Sequence, residues 1–471
     1  MKIAFLQNLW HEYVGIVYMA SLLKKHGHSC EVFIEGGEKD LIKSILKYNP
    51  DIIGFPCTTG SHQWGMSLAK KLKKKLNFVC VFGGPHPTFF PEIINDPNVD
   101  IVSIGESEYA FLELVEALEK KEKITNIKNL WVKKNGKIYK NEVRPLIQDL
   151  DELPFPDRAL YYKYSFLADN ETKTFISGRG CPYQCTFCFN HTYMNMYSGK
   201  GKYVRKRSVD NVIKEILSVK AKYRLKTLFF ADDTFIIDKK WLKEFCMRYR
   251  KEVGLGFFCG ARADLVDEET VKMLKYAGCY MVTIGIESGN EYIRNQVYKK
   301  GVSNEQIIKA GRLFKKYGIK TRSTNIFCAP DENISRVWET IKINIVAKIN
   351  YPFSSLFQPY PKTKITEYAY EKGYLDSNFN YNKLSALYFK DSVMNIKDKK
   401  EICNLHRFFY FAVKWPWTHP LINILIKFPT TFIYDWIFYI GFAHNYARYK
   451  RMGLFKVIKL GIKTLKNKVK V

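Results

Sequence analysis

The sequence predicts an α/β protein in three parts: a doubly wound, Rossmann-like (flavodoxin-like) sheet, a partial TIM-like (β/α)6 barrel, and a mostly helical C-terminal extension. Three observations carry this. Up to about residue 120, five short apolar runs alternate with amphipathic segments, the pattern of a parallel sheet with helices on both faces. A second βα series with six apolar runs follows, enough strands for an incomplete barrel. From about residue 395 the alternation stops and the composition turns aromatic and basic. The expected boundaries are 1–124, 125–169 (a linker with a hairpin), 170–365 and 366–471. A chain of 471 residues suits two or three cores, and 46% hydrophobic with 15% aromatic content excludes wholesale disorder.

In order, "KIAFLQN" reads as the first strand and "GIVYMASLLKKHG" as a helix ended by Gly27. "CEVFIEG", "DIIGFPCT", "FVCVFGG" and "DIVSIGE" are further strands, "EKDLIKSILKY" and "HQWGMSLAKKLKKKL" intervening helices, and "EYAFLELVEALEKK" closes the unit. Ligands of such sheets lie outside the carboxyl ends of the strands. There Gly83, Gly84 and Gly105 would let backbone approach a ligand, the hydroxyls of Thr58, Thr59 and Ser61 would donate to it, and Glu106 lies on the same edge. Tight turns are an equal use for those glycines. "NLWVKKNGKIYKNE" is a hairpin turning at Asn135-Gly136, and "DLDELPFPDRALYY" a proline-broken crossing. The barrel strands are "TKTFISG", "KTLFFADD", "LGFFCGARA", "MVTIGIE", "KTRSTNIFCAP" and "FSSLFQPYP". Chemistry in such barrels sits at the strand C-terminal ends.

The formal charge of +29 implies an anionic partner: nucleic acid, a membrane surface or an acidic substrate. The N-terminus has no signal-peptide pattern, which predicts a cytoplasmic protein. The aromatic stretch after residue 407 is interrupted by Lys414, Lys427, Pro429 and Asp435, so it does not supply the roughly 20 apolar residues of a spanning helix. Farther on, Leu454, Ile458, Ile462, Leu465 and Val469 make an apolar stripe flanked by lysines, as in a helix lying on an anionic inner membrane face. Docking on the barrel is the alternative.

Eleven cysteines are present, eight of them scattered singly and read as buried thiols. The other three, Cys181, Cys185 and Cys188, stand as C-x3-C-x2-C in "GRGCPYQCTFCFN", just past the first barrel strand. A structural zinc site closes with four ligands, and no second C-x2-C is present. Three thiolates suit a [4Fe-4S] cluster with one iron left open. Phe187 and Phe189 would shield it or simply pack.

This motif, after the first strand of a partial barrel, resembles the radical S-adenosylmethionine (radical SAM) superfamily over roughly residues 170 to 365. The resemblance implies that the open iron chelates S-adenosyl-L-methionine, whose reductive cleavage yields a 5′-deoxyadenosyl radical. "TIGIESGN" is similar to the family's fourth-strand motif and implies an S-adenosylmethionine contact for Glu287, with Gly285 and Ser288 beside it. "FFADDTF" offers Asp232 and Asp233, "GARADL" offers Arg262, and "FCAPDE" departs from the family's loop at Ala329. Aspartates in such places serve as N-caps about as often as ligands.

With its N-terminal domain, the chain looks like the cobalamin-binding radical SAM class. The D-x-H-x-x-G signature is absent: around His11, Leu9 and Val14 replace its Asp and Gly, which favours base-off cobalamin without a histidine ligand. The implied activity is methyl transfer to an unactivated carbon of a small-molecule or lipid-like substrate, with an external electron donor of flavodoxin or ferredoxin type and no nucleic acid. Radical ring rearrangement or cyclisation uses the same parts. A tRNA methylthiotransferase would need a second cluster, for which Cys30, Cys57 and Cys80 are the candidates. A non-catalytic cobalamin sensor or scaffold would need a purely structural cluster.

Overall fold

The computed structural model describes residues 1–376, 378–381, 384, 389, 391–449, 453 and 457, so the apolar stripe expected from Leu454 to Val469 lies outside the described residues. Five parallel strands open the chain: β1 (Lys2–Gln7), β2 (Ser29–Ile34), β3 (Ile52–Pro56), β4 (Val79–Gly83) and β5 (Ile101–Ser103), in spatial order 2-1-3-4-5. They are apolar at successive positions because helices cover both faces. Phe5, Val32, Ile52 and Val81 enter one core, and their neighbours Leu6, Phe33, Ile53 and Phe82 enter the other.

The hairpin forms as β6 (Leu130–Lys134) and β7 (Lys137–Lys140). Its turn residues Asn135 (φ 50°) and Gly136 (φ 74°) take the left-handed pair that a two-residue turn requires. It is no free linker element. β6 pairs antiparallel with β5, so the sheet has seven strands and the edge of β5 is closed. The following segment is also bound into the first core through Leu160, Tyr161, Tyr164 and Leu167. The Tyr161 hydroxyl donates to Gln7 Oε1 at 2.6 Å and the Tyr164 hydroxyl to Glu38 Oε1 at 2.6 Å.

The barrel begins with β8 (Thr172–Phe175), followed by a short antiparallel ribbon of β9 (Gly178–Arg179) and β10 (Arg205–Lys206). It continues through β11 (Thr227–Phe230), β12 (Gly256–Ala261), β13 (Cys279–Glu287), β14 (Lys320–Phe327) and β15 (Tyr351–Leu356), all parallel, in order 8-11-12-13-14-15. The helices between them start at Ser208, Asp238, Asp267, Ser303 and Asn333, each side chain accepting from an amide of the first turn.

Helices Lys399–Lys414, His419–Leu425 and Phe432–Tyr449 follow. They cover the open barrel edge: Phe408, Phe409 and Ala412 pack on Phe327 and Leu356, and Asn445 Nδ2 donates to Pro352 O at 2.7 Å. Among the described residues no helix is long and apolar enough to cross a membrane.

Candidate functional site

The C-x3-C-x2-C loop leaves the ribbon through Gly180 (φ 87°), where a Cβ would lie 2.3 Å from Tyr203 O. Thr186 anchors it, donating from N to Tyr298 O at 2.9 Å and from Oγ1 to Val297 O at 2.7 Å. Each sulfur faces a polar group. Arg262 Nη1 donates to Cys185 Sγ at 3.8 Å, Asn190 Nδ2 donates to Cys188 Sγ at 3.5 Å, and Thr234 Oγ1 lies 3.9 Å from Cys181 Sγ. Arg262 is itself held over the Tyr183 ring at 3.4 Å and by a 2.7 Å bond from Nη2 to Lys300 O. Burial pushes all three thiols up, Cys188 to about 11, so iron must displace their protons on binding.

Among the described residues no three His, Cys, Asp or Glu side chains gather closely enough for a single ion. A four-iron cluster instead spreads its thiolates over separate irons. Three sulfurs, Cys185 buried and Cys181 and Cys188 half-buried, two receiving N–H bonds and the third beside a hydroxyl, fit that demand.

Glu287 ends β13 at a bulge, where register shifts between Gly285 and Glu287. Its φ of 64° is unusual for a side chain of this size and re-aims the carboxylate off the sheet ladder. Lys300 Nζ donates to its Oε1 at 2.8 Å, and a Cβ at Gly285 would lie 2.3 Å from that oxygen. Ser288 is fully buried; its Oγ accepts from Asn290 N and its carbonyl from Arg294, so it fixes backbone. Asp232 is occupied by Ser177 N (3.0 Å), Ser177 Oγ (2.5 Å) and Lys206 Nζ (3.1 Å). Asp233 lines the adjoining cavity, where burial and the charge of Asp232 raise its pKa. Phe187 packs edge-on against Tyr298 at 5.1 Å, and Phe189 stacks on Phe89 of the first domain at 4.6 Å.

That cavity, of about 580 Å³, lies where the strand ends of the two domains face each other. The first domain contributes Tyr13, Val14, Gly15, Met19, Pro56, Gly83, Gly84, Gly105 and Glu106; the barrel contributes Ile176, Arg179, Tyr193 and Asp233. A Cβ at Gly15 would meet nothing within 4 Å, and one at Gly83 only Ser103 at 3.7 Å, so both leave open floor for a flat ring. Apolar walls over a glycine floor fit a corrin macrocycle. Among the described residues no histidine lines the cavity. His86 stacks instead on His62 at 3.8 Å, and burial lowers its pKa to about 3. Thr58 and Thr59 are not among the lining residues: the Thr58 hydroxyl meets Ser61 Oγ at 3.2 Å and that of Thr59 meets His86 Nδ1 at 3.1 Å.

The sequence reading missed the ties between the halves. Glu106 is bound by Arg205 at 2.6 and 3.0 Å, and Arg179 donates to Glu108 at 2.6 Å. Gly105 (φ 75°) serves the same contact, for its Cβ would lie 2.0 Å from the Tyr197 hydroxyl, which accepts from Glu106 N at 2.8 Å. The only sequence signal was Arg179 inside "GRGC".

Residues 6–115 match the B12 binding domain family and residues 175–343 the radical SAM superfamily. An uncharacterized methyltransferase of Pyrococcus horikoshii is 34% identical over 394 residues, 82% of this chain and 83% of its own. Cytidylyl-2-hydroxyethylphosphonate methyltransferase of Streptomyces wedmorensis is 25% identical over 350 residues, covering 62% of this chain and 64% of its own. The solved structure of the radical S-adenosylmethionine methyltransferase TsrM from Kitasatospora setae, with cobalamin and a [4Fe-4S] cluster bound, shares the fold. It superposes with a TM-score of 0.66 at 16% identity, over 79% of this chain and 78% of that one.

Proposed function

The chain belongs to the cobalamin-dependent radical SAM methyltransferases, and from that premise we propose that it methylates an unactivated carbon of a small-molecule or lipid-like substrate held in the strand-end cavity. The observation that carries this is the shared cavity: first-domain glycines and barrel residues Ile176, Arg179 and Asp233 line one space, and the cysteine loop lies beside it. When bound, the cluster supplies the electron that cleaves S-adenosylmethionine and cobalamin carries the methyl group.

The chain's own residues hold and shield. Cys181, Cys185 and Cys188 ligate iron, while Arg262 and Asn190 steady two of the sulfurs. Glu287, kept on its bulge by Lys300, would contact S-adenosylmethionine. Val14, Met19 and Pro56 would exclude water from the cavity in which cobalamin would be held. A flavodoxin- or ferredoxin-type protein delivers the electron. A basic, aromatic C-terminus suits contact with an anionic membrane.

The methylthiotransfer reading loses its second cluster. Cys30 is buried in the core on one face of the first sheet, Cys57 and Cys80 in the core on the other. Anaerobic reconstitution with S-adenosylmethionine bearing a labelled methyl group tests the proposal. Release of 5′-deoxyadenosine with a substrate heavier by one methylene is expected. A substrate that loses hydrogens and gains no label establishes rearrangement instead.

A further inference from the structure

We infer that the outer face of the last two helices is a seat for an anionic lipid bilayer; this deepens the membrane contact proposed above and gives it residues the sequence had not singled out. The inner sides of both helices are committed. Ile422 and Tyr434 are buried in the barrel-edge core, and a Cβ at Gly441 would meet Tyr410 Cβ at 3.2 Å, so the helices are docked closely. Their outer sides carry Leu421 (56% exposed), Ile424 (58%), Phe432 (74%), Trp436 (63%) and Ile440 (59%), and Trp417 (78%) stands in the short turn Pro416–Thr418 just ahead of them. The spacings 421/424 and 432/436/440 keep each helical set on one stripe. Among the described residues, eleven of the fifteen exposed large hydrophobic side chains fall between Trp415 and Phe442, so the exposure is a patch rather than ordinary scatter.

Charge and composition select the occupant. The face mixes tryptophan and phenylalanine with aliphatics, as at a bilayer interface. Asp435 is the only acidic residue from Trp415 to the last residue, and Arg407 Nε donates to it at 2.8 Å. Lys427 lies exposed within the patch, and nine Lys and Arg lie between Arg448 and Lys470. A protein partner would leave that cationic run unmatched unless it were itself acidic, whereas an anionic bilayer meets the apolar face and the cations together. Since none of the described helices can span, the helices lie in the interface plane.

The test uses the full chain with its cofactors, anaerobically, and vesicles of phosphatidylcholine with and without phosphatidylglycerol. Co-flotation with the anionic vesicles at low salt is expected, reduced at high salt. The exposed variant Trp417→Glu/Phe432→Glu/Trp436→Glu should bind more than about a hundredfold more weakly while still releasing 5′-deoxyadenosine. A second readout needs no variant. Three of the eight tryptophans, Trp415, Trp417 and Trp436, are exposed in the patch, so vesicles with brominated acyl chains should quench wild-type fluorescence. Absence of flotation at low salt, unquenched fluorescence, or a triple variant that floats like wild type would each overturn the seat. So would a lipid-free dimer that the triple variant dissolves, which would make the face an interface between copies. Vesicle binding without methyl transfer would leave the seat standing and sink the methyltransferase substrate reading alone.

Discussion

Glu106→Gln distinguishes a tie between the two halves from a cofactor ligand. Glu106 accepts from both terminal nitrogens of Arg205, at 2.6 and 3.0 Å, and Arg179 stands 3.5 Å away. Burial alone would raise its pKa, but the Arg205 hydrogen bonds and the charge of Arg179 hold it below the ordinary carboxylate value. The side chains of Glu106 and Arg205 are 12% and 4% exposed, so the pair is largely screened from water. Glutamine keeps the shape and removes the charge, leaving two guanidinium groups short of a counter-charge. Breaking a buried pair from one side costs about 3–5 kcal/mol. Arg205 keeps its bond to Ile147 O (2.7 Å) and Arg179 keeps Glu108, which places the loss near the low end, about 3 kcal/mol. If the first half melts as a unit of 150–250 residues, that is a fall of about 6–12 °C in Tm. Differential scanning calorimetry of the apo protein near pH 7 reads it directly. Because the folded pKa is lowered, the stabilisation is present above the unfolded value of 4.5 and is lost as pH falls through the folded pKa, so the difference between wild type and variant should shrink in acid. An unchanged Tm combined with weakened cobalamin binding would refute the tie and make Glu106 a ligand.

Three further outcomes follow from the same geometry. Gly105→Ala places a Cβ 2.0 Å from the Tyr197 hydroxyl at a φ of 75°; a loss of about 1–3 kcal/mol is expected, partly restored in Gly105→Ala/Tyr197→Phe, as thermal melts would read. Glu332 is fully buried, and burial raises its pKa from 4.5 to about 8. It is protonated in the fold, so stability declines as pH rises from about 4.5 to about 8, and Glu332→Gln should flatten that decline and exceed wild type at pH 8 by on the order of 3–5 kcal/mol. A wild-type stability that does not decline across that window would contradict the assignment. Cys181→Ala should drop bound iron from about four per chain to near none and abolish 5′-deoxyadenosine release, while a protein retaining full iron would remove Cys181 from the ligand set.

What was legible in the sequence was what a local stretch of chain decides. A strand buried on both faces leaves an unbroken apolar run, so β1 to β5 and the barrel strands could be found without knowing their neighbours. The cysteine loop was legible for the same reason, its three thiols lying within eight residues. The hairpin was visible from Asn135-Gly136, but its pairing with β5 was not, since nothing in its alternation names the edge it joins. Glu287 was singled out by its motif; the bulge on which it sits depends on the register against β14. Glu106 was placed at the correct strand end and lines the cavity, but its partner Arg205 was not visible because it lies 99 positions away.

Those distant partners share a logic. A cavity shared by two domains needs their strand ends held at a fixed separation, and an apolar contact alone tolerates sliding. Here the contact is pinned by two clusters of buried charge. Glu106 pairs with Arg205 and Glu108 with Arg179. In the second, Arg158 of the connector reaches Glu12 at 3.3 Å and Glu215 of the barrel at 2.9 Å, and Arg207 bonds both Glu215 and the Tyr18 hydroxyl. An isolated charge in that setting is costly, so each pair is satisfied only in one register of the two halves. Part of the chain's arginine content is therefore structural: these four side chains face inward and are matched by carboxylates, so the net positive charge is carried by other Lys and Arg, among them the C-terminal cations.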